Sequence, residues 1–420
     1  IVQDHVEQNL LFAATEYGIY FSINSGGKWT KLNGGVPTIS FRDLAIHKRE
    51  NDLVGASFGR GFYVFDDISV FRGLSKKQMA DTGTLFPVRK AWWYIPRSHL
   101  GFGDRPKGTQ GDGYFTAPNP PFGAVFTYHL GKDLQSKKAK RKQVEKAKID
   151  KGKAVGFPGW EVLETERRET TPQVIFEVKD REGNTVRRVQ GPSTKGFHRV
   201  AWDLRYPSPK AVTVEKSSEK GSGFLAVPGT YSVTMYAQAD GKTTQLSETQ
   251  QFDVVPLRTG ALPTKGYSQI ADFWRQYEQT AKRASAVQVT VGNTLKKIAR
   301  MQTALEQSNA DVGNLDRRLH DIRSSILKMD EALSGNRSKM EPGEKNNPTV
   351  GNRLFVIQRV IEYSTYGPTA TAVENLALAQ KGLDNIYSQL NQNKMDLDAL
   401  SRRLTKAGAP WVEGDQIPKK

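Results

Sequence analysis

The segments LFAAT at residues 11–15 and GIYF at 18–21 recur as LVGAS at 53–57 and GFYV at 61–64. The copies lie 42 to 43 residues apart, and short apolar strands that repeat with this period are typical of stacked propeller blades. Between them, SINSGGKW at 22–29 matches the Asp-box turn S-x-D-x-G-x-T-W, with Asn24 for Asp and Lys28 for Thr. The repeat predicts that residues 1–74 form the last one to two blades of a β-propeller.

The two copies differ in the number of strands they supply, although a blade needs about four. Residues 1–35 predict four strands, whereas residues 42–67 predict only three. Because a repeat unit cannot bury its apolar face alone, we expect the other blades upstream in a longer precursor or on a separate chain. One of them is expected to donate the missing fourth strand, and the start at Ile1 rather than Met agrees with this.

The Asp-box residues are expected to have structural roles. The short polar side chains of Ser22 and Asn24 can satisfy the amides of a turn, and Gly26 permits the bend. The indole of Trp29 is expected to pack beneath the blade.

The composition excludes several kinds of site. The 420 residues include no cysteine, which rules out disulfide bonds, thiolate metal sites and a cysteine nucleophile. No apolar run approaches the ~20 residues of a membrane span, so none is predicted.

Much of the formal net charge of +17 comes from residues 132–153, which contain ten basic and three acidic side chains. Such a run between two strands is typical of a solvated helix or loop. Binding of nucleic acid or an anionic polysaccharide is the alternative. Nucleic-acid binders interleave aromatic residues with the cations, and this run has none, so a nucleic-acid partner is not expected.

The middle of the chain has the period-two pattern of β-strands. Residues 75–121 are interpreted as a connector in which Trp92, Trp93 and Tyr94 seal the junction with the propeller, a ligand platform being the alternative. Residues 122–258 predict an immunoglobulin-like antiparallel β-sandwich with a basic insertion at 132–172 and Trp202 in its core. Its strands are expected at 124–128, 173–179, 185–189, 197–204, 229–237 and 250–255.

Apolar residues recur at helical spacing over residues 264–407, which predicts a helical bundle. Its last helix, at 371–407, carries a stripe of seven leucine and isoleucine residues. Residues 334–347 are interpreted as a mobile loop and 408–420 as a C-terminal tail. The expected fold class is multidomain: a partial β-propeller, an immunoglobulin-like antiparallel β-sandwich and a C-terminal α-helical bundle.

Several phrases, in one order along nearly the whole chain, resemble a known group of proteins. The phrases are residues 11–29, RDLAIH at 42–47, NDLV at 51–54, GRG at 59–61, Asp66-Asp67, NPPFGA at 119–124, WDLRYP at 202–207, PGTY at 228–231 and GAPW at 408–411. Together they look like the C-terminal half of large bacterial exported proteins with sortilin/VPS10-type BNR-repeat propellers, many of which are labelled glycosyl hydrolases.

The resemblance implies a long propeller N-terminal to this chain, followed by the sandwich and the helices, with export to the periplasm or the cell exterior. Eukaryotic sortilin receptors resemble it only in the propeller. Their cysteine-rich module and membrane anchor have no counterpart in this sequence, so a sorting-receptor function is not expected.

No constellation of residues predicts catalysis. Asp66 and Asp67 could hold a cation, but adjacent strand residues point to opposite faces, which favours capping or a salt bridge. Glu161, Glu164 and Glu166 with Arg167 and Arg168 are expected to form a surface ion-pair patch. Residues 111–113 (GDG) predict a turn, with calcium binding as the alternative. The histidines lack metal-ligand spacing: His5, His47, His99, His129, His198 and His320. No catalytic, cofactor-binding or metal-binding residue is predicted.

Two functions from different classes remain. In the first, the chain is part of a binding or scaffold protein whose propeller presents a surface to a peptide, a glycan or a protein. In the second, the missing blades carry a glycoside hydrolase or sialidase-like centre that this chain supports. Inward-facing Arg, Tyr and paired acidic residues in those blades would favour hydrolysis.

Overall fold

The computed structural model describes residues 1–96, 111, 113, 115–213, 222–258, 266–309, 313–415 and 417. They belong to two compact units. The first comprises residues 1–204 and 228–256 and is built mainly from β-sheets, and the second comprises 205–227 and 257–420 and is mainly helical. The chain is therefore a multidomain protein of β-sheets with a C-terminal helical region, as expected.

The first unit opens with two small antiparallel sheets, which we call the first and the second sheet. The predicted numbers of strands, four and then three, are confirmed, and the described residues contain no complete propeller. The first sheet consists of β1 (Val2–Gln3), β2 (Leu11–Thr15), β3 (Gly18–Ser22) and β4 (Thr30–Lys31). The second sheet consists of β5 (Phe41–His47), β6 (Asp52–Ser57) and β7 (Phe62–Phe65).

These two sheets share one apolar core. Phe12 and Ile19 of the first sheet and Leu44 and Leu53 of the second are buried together. Successive strand residues point to opposite faces, so each sheet commits only one of its faces to this core. A 3-10 helix at Ile68–Gly73 follows β7 and adds Phe71, whose ring lies 4.7 Å from that of Phe21.

Two larger sheets complete the first unit. One has the order β13-β10-β8 and the other the order β12-β11-β16-β18-β9, with β17 beside β16. Phe126 of one sheet contacts Phe176 and Phe252 of the other, and Trp202 is fully buried, as predicted. The strands are β8 (Gly83–Leu85), β9 (Ala91–Trp93), β10 (Ala124–Leu130), β11 (Gln173–Lys179), β12 (Thr185–Gly191), β13 (Gly196–Trp202), β16 (Gly229–Ala239), β17 (Lys242–Gln245) and β18 (Gln250–Pro256).

The segment interpreted as a connector contributes β8 and β9 to these sheets, after a short helix α1 (Lys76–Ala80). β8 pairs with β10, and β9 pairs with β18 in parallel, so the expectation of a wholly antiparallel sandwich is wrong at this strand. The chain crosses from one sheet to the other within a few residues. Its apolar side chains are buried on both sides of that crossing, including Leu85, Phe86, Ala91 and Trp93.

The basic insertion between β10 and β11 forms two helices, α2 (Lys137–Ile149) and α3 (Trp160–Arg168). Neither contains a buried residue, which confirms the prediction of a solvated helix.

The second unit packs four longer helices around one core. They are α4 (Tyr267–Glu306), α5 (Leu315–Ser334), α7 (Val350–Tyr363) and α8 (Ala370–Lys406), and the interval interpreted as a loop contains the short helix α6 (Arg337–Met340). The leucine and isoleucine stripe of α8 is buried, as predicted. β14 (Arg205–Pro207) and β15 (Ser222–Leu225) pair with each other, and Phe224 joins the helical core rather than the sandwich. No described helix is long and apolar enough to cross a membrane.

Candidate functional site

One face of the second sheet is apolar and largely exposed to solvent. Val54 is paired with Ala45 on one side and Val64 on the other, while Ala56 is paired with Phe62. Paired residues of an antiparallel sheet lie on the same face, and we call the face formed by these five side chains the open face. Phe62 is 77% exposed and Val64 57% exposed. An exposed apolar sheet face of this kind is a candidate interaction surface.

The sequence repeat relates the open face to a buried face of the first sheet. Val54 is the counterpart of Phe12, Phe62 that of Ile19, and Val64 that of Phe21. Phe12 and Ile19 are fully buried in the core against the second sheet, and Phe21 is partly buried there. The first sheet therefore packs against the second sheet through one face, and the equivalent face of the second sheet is exposed.

The outer edge of the second sheet is strand β7, which pairs on one side only in the described part of the chain. In the first sheet β4 lies along β3, with Lys31 opposite Tyr20 and Thr30 opposite Phe21. The counterparts of Tyr20 and Phe21 are Tyr63 and Val64 on β7, and β7 is the terminal strand of its sheet among the described residues. Natural edge strands are normally blunted by charge or proline. The sequence FYVF of β7 contains neither.

The Asp-box turn that follows β3 is held by its own side chains. Ser22 is buried, and its hydroxyl donates to Asn24 Oδ1 at 2.9 Å and accepts from the amide of Gly26 at 2.9 Å. Asn24 Oδ1 also accepts from the amide of Lys28 at 2.9 Å. Gly26 has a φ of +89°, which favours glycine. These hydrogen bonds stabilise the turn and use the side-chain oxygens of Ser22 and Asn24.

The indole of Trp29 lies beside Gly26 and is 37% exposed. Trp29 precedes the two-residue strand β4 and does not belong to the intersheet core. The expectation that its indole packs beneath the blade stays a prediction.

Asp66 and Asp67 follow β7 instead of lying within it, so the argument from strand alternation does not apply to them. Asp67 has a φ of 53°, and its Oδ1 accepts from the amide of Ser69 at 3.2 Å, which caps the 3-10 helix. The favoured capping role is confirmed for Asp67. Burial raises the pKa of Asp66, as does the nearby carboxylate of Asp52, while the cations of Arg199 and Arg89 oppose this rise.

Arg89 lies among the acidic groups at this end of the second sheet. Its Nη1 donates to the carbonyl of Glu50 at 2.8 Å, and its Nε lies 4.0 Å from Asp67 Oδ2. The indole of Trp92 donates to Glu50 Oε1 at 2.9 Å. Trp92 therefore joins the second sheet to β9, as predicted for a junction residue. Arg89 was not singled out in the sequence, because nothing near it in the chain marks its acidic partners.

Asp4 and Arg72 form a second polar link, also missed in the sequence. Arg72 donates to both carboxylate oxygens of Asp4, at 2.8 and 2.9 Å, and to Asn51 Oδ1 at 2.7 Å. Burial opposes ionisation of Asp4, but the hydrogen bonds from Arg72 and from the amides of Glu7 and Val6 outweigh it and lower its pKa. Arg72 thus ties residues of both small sheets together.

The remaining sequence candidates do not converge on one site. Glu164 pairs with Arg167 and Arg168, which confirms the expected ion-pair patch for these three residues. Glu166 pairs with Arg141 of α2 instead, and no ion pair of Glu161 is found among the described residues. No group of three or more potential metal ligands occurs among the residues that the structure describes. Asp112 and His99 lie outside the described residues.

Two of the histidines have distinct surroundings. His129 is buried on β10, its Nδ1 has no hydrogen-bond partner among the described groups, and burial lowers its pKa. One ring nitrogen of His198 lies 2.6 Å from the carbonyl of Thr194.

The second unit has concave surfaces between its helices. One cavity of about 310 Å³ lies between α5, α7 and α8, where Met329, Gly382 and Ile386 line it together with Lys328 and Arg353. It combines apolar walls with two cations and resembles a gap between packed helices.

No protein-family model matches the sequence. The chain is 26% identical over 149 residues to the chromosome condensation protein dpy-27 of Caenorhabditis elegans, and the match covers 35% of this chain and 10% of that protein. A solved structure described as a biofilm associated protein, BSP domain, is similar at a TM-score of 0.16 and 8% identity, over 60% of this chain and 30% of that one. The chain spans less than a third of each of these proteins, and neither likeness assigns it a fold or a function.

Proposed function

We propose that this chain is the C-terminal portion of an exported binding or scaffold protein, and that its two small sheets are blades of a larger propeller. The partner bound by the whole protein would be a peptide, a glycan or another protein, and its location the periplasm or cell exterior. The resemblance to sortilin/VPS10-type BNR-repeat proteins supports the proposed location and the proposal that the propeller has further blades. The larger sheets and the helices serve as the immunoglobulin-like and assembly modules of that protein.

The equivalence of the open face and the buried face of the first sheet carries the proposal. A face that covers one neighbour in the first copy of the repeat is apolar and uncovered in the second copy. Stacked repeats bury such faces against the next unit. The occupant of the open face is therefore another blade.

The edge of β7 supports the same occupant. A propeller blade is completed by a fourth strand, and strand addition to a free edge forms main-chain hydrogen bonds along it. By analogy with β4, the added strand would run antiparallel to β7 with two of its residues opposite Tyr63 and Val64. One neighbouring polypeptide could supply both the strand and the covering face.

The carboxylates at the end of the second sheet favour a structural or binding role over hydrolysis. Glycosidases use two facing carboxyl groups that remain available to the substrate. Here Glu50 is engaged by Arg89 and Trp92, and Asp67 caps the 3-10 helix. These groups have structural partners in the described part of the chain.

Sedimentation velocity of the chain alone tests the proposal. With no further blade present, the outer face of the first sheet of another copy can occupy the open face, so we expect concentration-dependent association that F62S/V64S abolishes. The matched control is F355S/V356S, which removes an exposed Phe and an exposed Val from α7 and should leave association unchanged. A chain that stays monomeric at high concentration, or equal loss of association in both variants, contradicts the proposal.

A further inference from the structure

The hairpin formed by α2 and α3 has a fixed base and an exposed tip. Arg141, in the first half of α2, donates to both oxygens of Glu166 near the end of α3, at 2.6 and 2.9 Å. The amide of Lys137 donates to Glu169 at 2.7 Å, and its ammonium lies 2.8 Å from Asp240 in the turn between β16 and β17. These contacts run in opposite order along the two segments, so the helices are antiparallel and residues 148–160 form the tip.

The tip presents apolar side chains to solvent. Trp160 is 78% exposed and Phe157 63% exposed, with their rings 4.8 Å apart in an edge-to-face arrangement. Ile149 at the end of α2 is exposed as well. None of these side chains contributes to a core of the protein, because neither helix buries a residue.

Cations accompany these apolar groups. Lys148, Lys151 and Lys153 are exposed, and Asp150 is the only acidic residue in the tip. Among the described residues, no carboxylate lies within ion-pair distance of these three lysines. The same holds for Lys138, Lys140, Lys142 and Lys146 along α2, whereas Lys137 and Arg141 are paired at the base. The hairpin therefore carries an excess of uncompensated positive charge.

We propose that the hairpin tip binds the surface of an anionic lipid bilayer, with Trp160, Phe157 and Ile149 inserted at the headgroup level and the lysines on lipid phosphates. Lysine offers a compact charge on a flexible stem, which suits a diffuse layer of phosphates more than bidentate recognition of one group. Peripheral membrane segments combine Lys with Trp and Phe in this way. The inference is independent of the proposed propeller.

The aliphatic residues favour lipid over an anionic polymer. Single-stranded nucleic acids bind by stacking bases on aromatic rings above a cationic groove, which would engage Trp160 and Phe157 but leave Ile149 in water. A bilayer interface accepts aromatic and aliphatic side chains alike. Val144 on α2 and Val162 on α3 are exposed as well.

Co-sedimentation with vesicles tests the proposal. We expect the full chain to sediment with phosphatidylcholine vesicles that contain phosphatidylglycerol, and not with phosphatidylcholine alone. Each lysine near an anionic surface contributes roughly a factor of five, so K148Q/K151Q/K153Q should lower the partition coefficient about 100-fold. F157S/W160S should lower it as well, and quenching of tryptophan fluorescence by brominated lipid should fall in W160F.

Two matched controls locate the effect. K381Q/K394Q/K406Q removes three exposed lysines from α8, and F355S/V356S removes exposed apolar groups from α7; neither should alter the partition. Failure of the wild-type chain to bind anionic vesicles overturns the proposal. So does an equal loss in the control variants, or binding of heparin or duplex DNA through the tip without binding of vesicles.

Discussion

The first and second sheets are built from one repeated sequence pattern, yet their surroundings differ. The first has a fourth strand and places Ile19 in a closed core, whereas the second ends at β7 and exposes Phe62, the counterpart of Ile19. Both positions carry a large apolar residue. The difference in burial therefore reflects which neighbours are present, because among the described residues only the first sheet has a sheet packed against this face.

The turns after the third strands differ in a related way. Asn24 closes the Asp-box turn within its own segment, while its counterpart Asp67 caps the following 3-10 helix and lies near Arg89. In the first copy the chain continues to a fourth strand. In the second copy the chain continues from the same position into the 3-10 helix, and β7 stays the terminal strand of its sheet in the described part of the chain.

The largest expected difference in the free energy of unfolding is between substitutions at Ile19 and at Phe62. Ile19→Ala removes methyl groups from a closed core and should lower the free energy of unfolding by about 2–5 kcal/mol. Phe62→Ala at the exposed counterpart should change it by less than about 0.5 kcal/mol. Chemical denaturation at low protein concentration measures both changes in the free energy of unfolding. Hydrogen exchange of the amides of β2 and β3 reports on the first unit separately. Equal decreases in the free energy of unfolding would mean that the open face is covered in solution and that the two positions do not differ in burial.

The link between Asp4 and Arg72 tests whether the two sheets act as one folding unit. Asp4→Asn leaves the guanidinium of Arg72 without its carboxylate and should cost about 3 kcal/mol. Glu16→Gln is the control, because its pair with Arg42 is exposed on both sides and worth at most about 1 kcal/mol.

The pH dependence of the Asp4→Asn effect follows from the lowered pKa of Asp4. A lowered native pKa contributes stability above the ordinary carboxyl value of 3.8, and this stability is lost as the pH falls toward the native pKa. The gap between wild type and variant should therefore narrow below about pH 4. Thermal unfolding at several pH values measures it, and a constant gap would contradict the assignment of the stability to the ionised pair.

Local patterns in the sequence were sufficient for much of this fold. The repeat predicted the strands of both small sheets, and the heptad-like spacing of leucines predicted the buried face of α8. The parallel pairing of β9 with β18 was not predictable, because its register depends on residues more than 150 positions away. Arg72 and Arg89 find their acidic partners only after the sheets assemble. The burial of Phe224 could not be predicted either, because it depends on a core formed by distant helices.

A smaller effect is expected at the Asp-box turn. Asn24→Ala removes the acceptor for Ser22 Oγ and for the amide of Lys28, and a lost capping interaction of this kind costs about 1 kcal/mol. Asn24→Asp keeps the acceptor and should be close to neutral. Chemical denaturation of both variants measures the difference. A neutral Asn24→Ala would show that the turn is held by Gly26 and the surrounding strands alone.

The smallest effect concerns Asp66 at the corresponding turn of the second sheet. Burial raises its pKa, and a group with a raised native pKa stabilises the protein below its ordinary pKa and loses that contribution as the pH rises. Asp66→Asn removes a carboxylate that is disfavoured at neutral pH and should raise the free energy of unfolding by up to about 0.5 kcal/mol there. The gain should vanish as the pH falls and the wild-type carboxyl becomes protonated. A lower free energy of unfolding for Asp66→Asn at neutral pH would contradict this. It would mean that the carboxylate of Asp66 is a required partner of Arg89 and Arg199, within a charge network that has no counterpart in the first sheet.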